Sequence, residues 1–317
     1  MYNYNPGETK SCVEKFKRML KTNMNYYFDP QEFEEIIVYY LSHGDKQLAK
    51  RALKRGLQQH PSFHGLLLLQ SEIHILDENY EVAIKLLEYI EKLNPFDEEI
   101  SLQRANIASK KGDHISSINY LHKALKISDD PDEIWNLLGM EHLLVENYIE
   151  ASYFFKNCLS NNPDDYPSLY NLLYCYEQLN MTEAAINSLN KVLETDPYCE
   201  VAWHQLGKVY LKCGKSKEAL SAFEFAIISD DRFTGAYIEK GKLLESLGRL
   251  NEAILNYELA LKTTESNAFI HNSIGRCHEN LGNFDAAETF YFESVELEPT
   301  NERCWESLII FLISRKK

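Results

Sequence analysis

Glycine and proline are scarce in this 317-residue chain, 13 and 9 respectively, against usual shares of roughly 7% and 5%. A strand-and-turn fold consumes both at its turns, so long helices are expected instead. No apolar run approaches the ~20 residues that a membrane span requires, and the opening MYNYNPGETK has neither a basic nor an apolar segment of a secretory leader. Basic residues are also in deficit, 33 against 48 acidic, for a formal charge of −15. Such a surface repels phosphate backbones and anionic lipid, which excludes nucleic acid and membranes as general partners. The seven cysteines (Cys12, Cys158, Cys175, Cys199, Cys213, Cys277, Cys304) are odd in number and contain no C-x-x-C pair. Neither a disulfide framework nor a zinc site has its usual spacing, and reduced thiols in a cytoplasm are expected. Glycine-rich phosphate loops, G-x-S-x-G and H-E-x-x-H are missing as well. The expectation is a chain without catalytic residues, metal or cofactor.

What the chain has is a core-forming composition, 44% hydrophobic and 26% charged, and an internal period. Five of the nine prolines fall on one 34-residue lattice: Pro61, Pro95, Pro163, Pro197 and Pro299. Twelve residues before each lattice point stands alanine (Ala49, Ala83, Ala151, Ala185, Ala219, Ala253, Ala287), with Ser117 the substitute. Five residues earlier is a column of Gly44, Gly112, Gly214, Gly248 and Gly282, completed by Asn180, Glu78 and Glu146. Seven earlier again stand Ser71, Ala105, Gly139, Gly207, Gly241 and Gly275, interrupted by Ile37 and Leu173. The last two columns hold nine of the thirteen glycines.

Each column has a mechanical reading. Glycine or asparagine just past a first helix adopts the left-handed conformation that ends it. Small residues at the third column and at the alanine column let two helix axes approach, and proline marks the joint after the second helix. Large apolar residues such as Trp135, Leu138 and Phe155, or Trp203, Leu206, Tyr210 and Phe223, recur on one helical face. One such pair leaves half its apolar surface bare, so stability comes from stacking neighbours.

The run W-H-Q-L-G-K-V-Y at 203–210, followed by Ala219, Phe223, Ala226 and a proline lattice, resembles the tetratricopeptide repeat pattern W-x2-L-G-x2-Y…A…F…A…P. The resemblance implies an all-α, right-handed α-α superhelix with a concave channel. Eight repeats are expected over 30–301, with a capping segment at 1–29 and the first helix of a ninth repeat at 302–317. Asp129, Asp231 and Glu265 replace the joint proline, and Ile37 and Leu173 replace the small residue, so altered packing is expected there. The segment Tyr26–Phe33, Y-Y-F-D-x-x-E-F, is similar to the opening of Bacteroidota-type cytoplasmic bacterial proteins of the same family, a likeness that brings no chemistry.

The resemblance makes the first helix of each repeat the channel wall. The ninth residue of each repeat reads Val38, Glu72, Asn106, Met140, Tyr174, Lys208, Lys242, Arg276, and the fifth reads Glu34, Leu68, Leu102, Asn136, Tyr170, His204, Ile238, Asn272. Tyr170, Tyr174, His204, Lys208, Lys242, Asn272 and Arg276 therefore form the expected peptide-binding set. Carboxylates of an acidic or C-terminal segment suit the cations, and an aromatic or apolar side chain suits the tyrosines. The competing reading is a solvated face in which Lys242 pairs with Glu245 and Arg276 with Glu279 at i, i+3 spacing. The family's chaperone-tail clamp uses Lys and Asn one turn apart; Asn272 with Arg276 is the nearest approach and is reversed, so chaperone-tail binding is not implied. In the amino-terminal half, Leu68, Ile75, Leu76, Leu102, Met140, Leu143 and Leu144 read as inter-repeat packing, with an amphipathic helix in the groove as the alternative.

Of the ten histidines, His74, His142 and His278 share a column with Tyr40, Tyr176 and Tyr210 and read as packing residues. Cys277 and His278 are adjacent only in sequence and point about 100° apart on a helix, which argues against a nucleophile and base pair. Val13, Phe16, Met19 and Leu20 form an amphipathic stripe expected to cap the first repeat. Trp305, Leu308, Ile309 and Phe311 form an apolar helix without a following partner. That helix implies either a longer native chain or a contact between subunits. Three functions are thus open: an adaptor gripping a peptide in its groove, a structural subunit assembling through its ends, or the recognition arm of a longer enzyme.

Overall fold

The computed structural model describes residues 6–22, 24–264 and 267–315; the joint residue Glu265 and Lys317 lie outside them. The described residues form eighteen helices and no strand. After α1 (Pro6–Thr22) come the pairs α2 (Pro30–Ser42) with α3 (Lys46–Gln59), α4 (His64–Leu76) with α5 (Tyr80–Leu93), and α6 (Glu98–Lys110) with α7 (His114–Leu125). Next are α8 (Asp132–Leu144) with α9 (Tyr148–Asn161), α10 (Tyr166–Gln178) with α11 (Thr182–Thr195), and α12 (Glu200–Lys212) with α13 (Ser216–Ser229). The series closes with α14 (Thr234–Ser246) and α15 (Leu250–Thr263), α16 (Ala268–Asn280) and α17 (Phe284–Leu297), and the single helix α18 (Glu302–Arg315). Two compact units divide the chain, Met1–Asn161 with α1–α9 and Asn162–Lys317 with α10–α18.

The turn column does what its residues allow. All eight of its positions have positive φ: Gly44, Gly112, Gly214, Gly248 and Gly282 at 71–79°, Glu78 at 62°, Glu146 at 57° and Asn180 at 55°. The left-handed conformation costs a side-chain-bearing residue about 1–2 kcal/mol, whereas glycine's extra unfolded-state freedom costs only about 0.5–1 kcal/mol. Glu78→Gly and Glu146→Gly are therefore each expected to raise stability by about 0.5–1 kcal/mol, read as a higher urea midpoint. A lower midpoint for either variant contradicts this account.

The packing columns are equally regular. Ala49, Ala83, Ala151, Ala219, Ala253 and Ala287 are wholly buried, as are Ala185 and Ser117 to within a few per cent. A Cβ built on Gly139, Gly207, Gly241 or Gly275 meets the ring of Phe155, Phe223, Tyr257 or Tyr291, at 2.5–3.0 Å for the nearest atom. In the same register the four repeats without a glycine carry Leu53, Leu87, Leu121 and Leu189 in place of the aromatic ring. A ring thus occupies the space that a missing side chain leaves. Leu173 has the expected consequence, since α10 and α11 approach each other less closely than any other such pair; α2 and α3, with Ile37, do not stand apart in this way. Repetition extends to side-chain bonds: the Trp203 and Trp305 indoles donate to the carbonyls of Pro197 and Pro299, 2.8 and 2.9 Å away.

At the amino-terminal end of the first unit, Val13, Phe16 and Met19 of α1 are buried with Phe28, Phe33, Ile36 and Tyr40, and Leu20 is half-buried against them. On α18 the apolar stripe divides. Leu308 and Phe311 are buried with Tyr291 and Val295 of the preceding pair, while Trp305, Ile309, Ile310 and Ile313 are exposed. Among the described residues no helix is long and apolar enough to cross a membrane.

Candidate functional site

The seven expected contact residues all lie in the second unit, on the first helices of its pairs. Spacing of four residues places Tyr170 and Tyr174 one turn apart on α10, and His204 and Lys208 one turn apart on α12. A cavity of about 470 Å³ opens between α10, α11 and α12 and is lined by Tyr170, Tyr174, Leu173, Gln205, Lys208 and Lys212, among others. The geometry therefore brings together three members of the set. Tyr170 and Tyr174 are 44% and 47% exposed, enough ring surface to receive an apolar group. Lys208 has no carboxylate partner among the described residues, whereas Lys212, one turn further, pairs with Glu177 at 2.5 Å. Its spacing from Lys208 on the same helical face was the available signal for Lys212, and for Gln205 at the opposite side of the turn.

His204 departs from the expected picture. It is half-buried beside Phe223 and Phe233, and both ring nitrogens are shielded from solvent without a hydrogen-bond partner. Burial, with the cations of Lys208 and Lys242, holds its pKa down at about 4. The ring is neutral at physiological pH, so it serves as packing beneath the lysines rather than as a cation of the ladder. Lys242 is engaged, through an ion pair with Glu239 at 2.8 Å and a position 4.9 Å over the Phe269 ring. The pairing expected on a solvated face, Lys242 with Glu245, is replaced by this one. Arg276 reaches back one repeat to Glu245 in a two-pronged contact, its second nitrogen at 3.0 Å from Oε2. Glu245 also accepts from the Tyr257 hydroxyl at 3.1 Å, and Glu279 accepts from the Tyr291 hydroxyl at 2.7 Å instead of pairing with Arg276.

Asn272 is 8% exposed, and its Oδ1 accepts from the Ser307 hydroxyl at 3.3 Å. The expectation of an open channel position fails for this side chain because α18 packs across α16. Within the carboxy-terminal unit the ladder thus reduces to one uncommitted cation, Lys208, beside two exposed tyrosines.

Burial pushes the thiols of Cys175 and Cys277 up to about 11 and about 12, far from the thiolate form. His278 stacks on Phe290 with centroids 5.6 Å apart, and His142 stacks on Phe154 in the same way. Both are the packing residues their column implies. Among the described residues no group of three or more His, Cys, Asp or Glu side chains is placed to hold a metal ion.

Paired helices with small-residue seams and left-handed turns on a fixed period define a helical repeat scaffold. The chain belongs to the tetratricopeptide repeat family: family models described as tetratricopeptide repeat match residues 36–98, 166–199, 204–268 and 270–301. Members of this family are in general protein-interaction scaffolds and not catalysts. Among curated proteins, tetratricopeptide repeat protein 37 of Xenopus laevis is 26% identical over 70% of this chain and 15% of its own length. Anaphase-promoting complex subunit 3 of Schizosaccharomyces pombe is 23% identical over 44% of this chain and 21% of its own length. The chain thus spans about a fifth or less of these two relatives. Among solved structures, MamA is 23% identical over 56% of this chain and 96% of its own, with a TM-score of 0.46. A tetratricopeptide repeat protein from Parabacteroides merdae is 16% identical over 78% of this chain and 98% of its own, with a TM-score of 0.44.

Proposed function

We propose that the protein is a cytoplasmic, non-catalytic adaptor whose carboxy-terminal unit grips a peptide segment of a partner protein. Its scaffold comprises eight 34-residue repeats over 30–301, a capping segment at 1–29 and the opening helix of a ninth repeat at 302–317. One observation carries the reading: Lys208, with no carboxylate of its own, shares a cavity with the exposed rings of Tyr170 and Tyr174. A side-chain or C-terminal carboxylate of the peptide meets the ammonium group, and an adjacent apolar side chain lies against the tyrosines. Lys242 and Arg276 hold committed partners and contribute mainly to the positive field. His204 and Asn272 support the wall from within. The seven cysteines form no disulfide among the described residues, which suits a reducing cytoplasm.

Lys208→Glu is expected to lower capture of partner protein from a native lysate about tenfold, with the parent's capture weakening as salt rises. Lys242→Glu, acting on an engaged lysine, is expected to lower it far less. Thermal melts of both variants should stay close to the parent's. Unchanged capture by Lys208→Glu removes the groove reading.

The exposed stripe of Trp305, Ile309, Ile310 and Ile313 on α18 favours a second reading, a structural subunit that associates through this end. Anaphase-promoting complex subunit 3, a relative, is by its name part of a larger assembly. Sedimentation over a concentration series decides between them: a monodisperse monomer at high concentration contradicts self-association.

A further inference from the structure

The amino-terminal unit carries a second cleft, of opposite charge, that the adaptor reading above does not use. It has a volume of about 370 Å³ and lies along α4, α6 and α8. Glu72 of α4, Glu99 of α6 and Glu133 and Glu141 of α8 all line it, and none of its lining residues is a lysine or arginine. Glu141 is matched by His114, whose Nδ1 lies 2.9 Å away. Glu72 and Glu133 have no hydrogen-bond or ion-pair partner among the described residues. Burial pushes the carboxyl groups of Glu72 and Glu99 above their ordinary range; repulsion from Glu99 adds to it at Glu72, and repulsion from Asp97 and Glu133 adds to it at Glu99 against the opposing hydrogen bond from Gln103.

A second observation points independently to a missing donor. Gln103, 5% exposed, lines the same cleft. Its amide nitrogen donates to the Leu68 carbonyl at 3.2 Å and to Glu99 Oε1 at 3.1 Å. Both amide hydrogens are thereby spent, and the amide oxygen is left buried with no partner. A buried acceptor of this kind costs free energy until a donor reaches it.

The chemistry of the acceptors, several carboxylates and one neutral amide oxygen, selects the donor. These carboxylates are not grouped to hold a metal ion, so a point cation has no coordination shell here. A planar guanidinium carries five N–H donors in a fixed fork and reaches separate carboxylates and a neutral amide oxygen together. Leu102 and Leu137 flank the acidic wall and offer apolar contact to the methylene stem that carries such a group. We propose that this cleft is the receptor for an arginine side chain of a bound polypeptide.

The test uses the full chain and the peptide acetyl-Gly-Arg-Gly-amide as probe, followed through the methyl NMR resonances of Leu102 and Leu137. Saturable shifts are expected with the arginine peptide and none with its citrulline counterpart, which keeps the shape and loses the charge. Glu72→Gln combined with Glu99→Gln is expected to weaken binding about tenfold or more, with the fold retained by circular dichroism. Equal shifts from the citrulline peptide overturn the proposal, as does undiminished binding by the double variant. Equal affinity for acetyl-Gly-Lys-Gly-amide overturns the choice of a guanidinium. Lys208→Glu should leave this binding unchanged, so failure here and failure of the carboxy-terminal groove are separately visible.

Discussion

Replacing Gly207 by alanine is expected to destabilise the protein, although alanine is the better helix former. The added methyl carbon stands 2.5 Å from Cε1 and 2.7 Å from Cδ1 of Phe223, a ring with no exposed surface. Overpacking a filled core costs about 1–3 kcal/mol, and helix propensity returns at most about 1 kcal/mol. With contacts this short the upper end applies, leaving a net loss of about 2 kcal/mol. Phe223→Leu alone opens a void and is expected to cost about 1 kcal/mol. The double variant reproduces the Ala105 and Leu121 combination that another repeat of this chain already uses. It nearly conserves volume, and its stability should fall within about 1 kcal/mol of the parent. A double-mutant cycle by urea denaturation measures the coupling, expected near 2 kcal/mol. Additive losses would show that the seam between α12 and α13 does not depend on that complementarity.

The same complementarity explains why so much of the fold was readable beforehand. A left-handed turn, a helix seam closed to large side chains and a buried alanine each impose a residue type, and the 34-residue period repeats the imposition eight times. Even the exceptions follow the rule, since Glu78 and Glu146 take the conformation their column demands. The groove was less legible. Whether a residue on a first helix faces the cavity or the next helix depends on a rotation of less than one residue, about 100°. Asn272 fell on the packed side for this reason, and His204 sank between two phenylalanines. Pairing across repeats was equally hidden. Arg276 and Glu245 stand 31 residues apart, near one period but off the i, i+3 and i, i+4 spacings that a single helix makes visible. The acidic cleft left one trace, Glu99 and Glu133 being one full period apart; that they face one cavity with Glu72 required the packing of three helices.

Removing the charges of that cleft should stabilise the protein in a pH-dependent way. Glu72 and Glu99 have folded-state pKa values raised above the ordinary 4.5, chiefly by burial, with Glu99 also repelled by Asp97 and Glu133. The folded protein therefore binds these protons more tightly than the unfolded chain does. The associated stability is fully present below about pH 4.5 and is lost as pH rises through the window between the unfolded and folded values. Glutamine does not ionise, so the Glu72→Gln, Glu99→Gln double variant escapes this loss. It still accepts the Gln103 hydrogen bond through its amide oxygen at position 99. Its melting temperature is expected to exceed the parent's by several degrees near neutral pH, with the difference shrinking toward zero as the pH falls below about 4.5. Asp97, Glu133, Glu141 and His114, the other charged or ionisable groups around the two carboxyls, are the same in both proteins, so their contributions largely cancel in that difference. Thermal melts across this range check the prediction; a variant less stable than the parent at neutral pH, or a gap independent of pH, contradicts it. Increased stability joined to lost arginine binding would mean that the cleft keeps its charges at the expense of the fold, which is the pattern expected of residues held for a ligand.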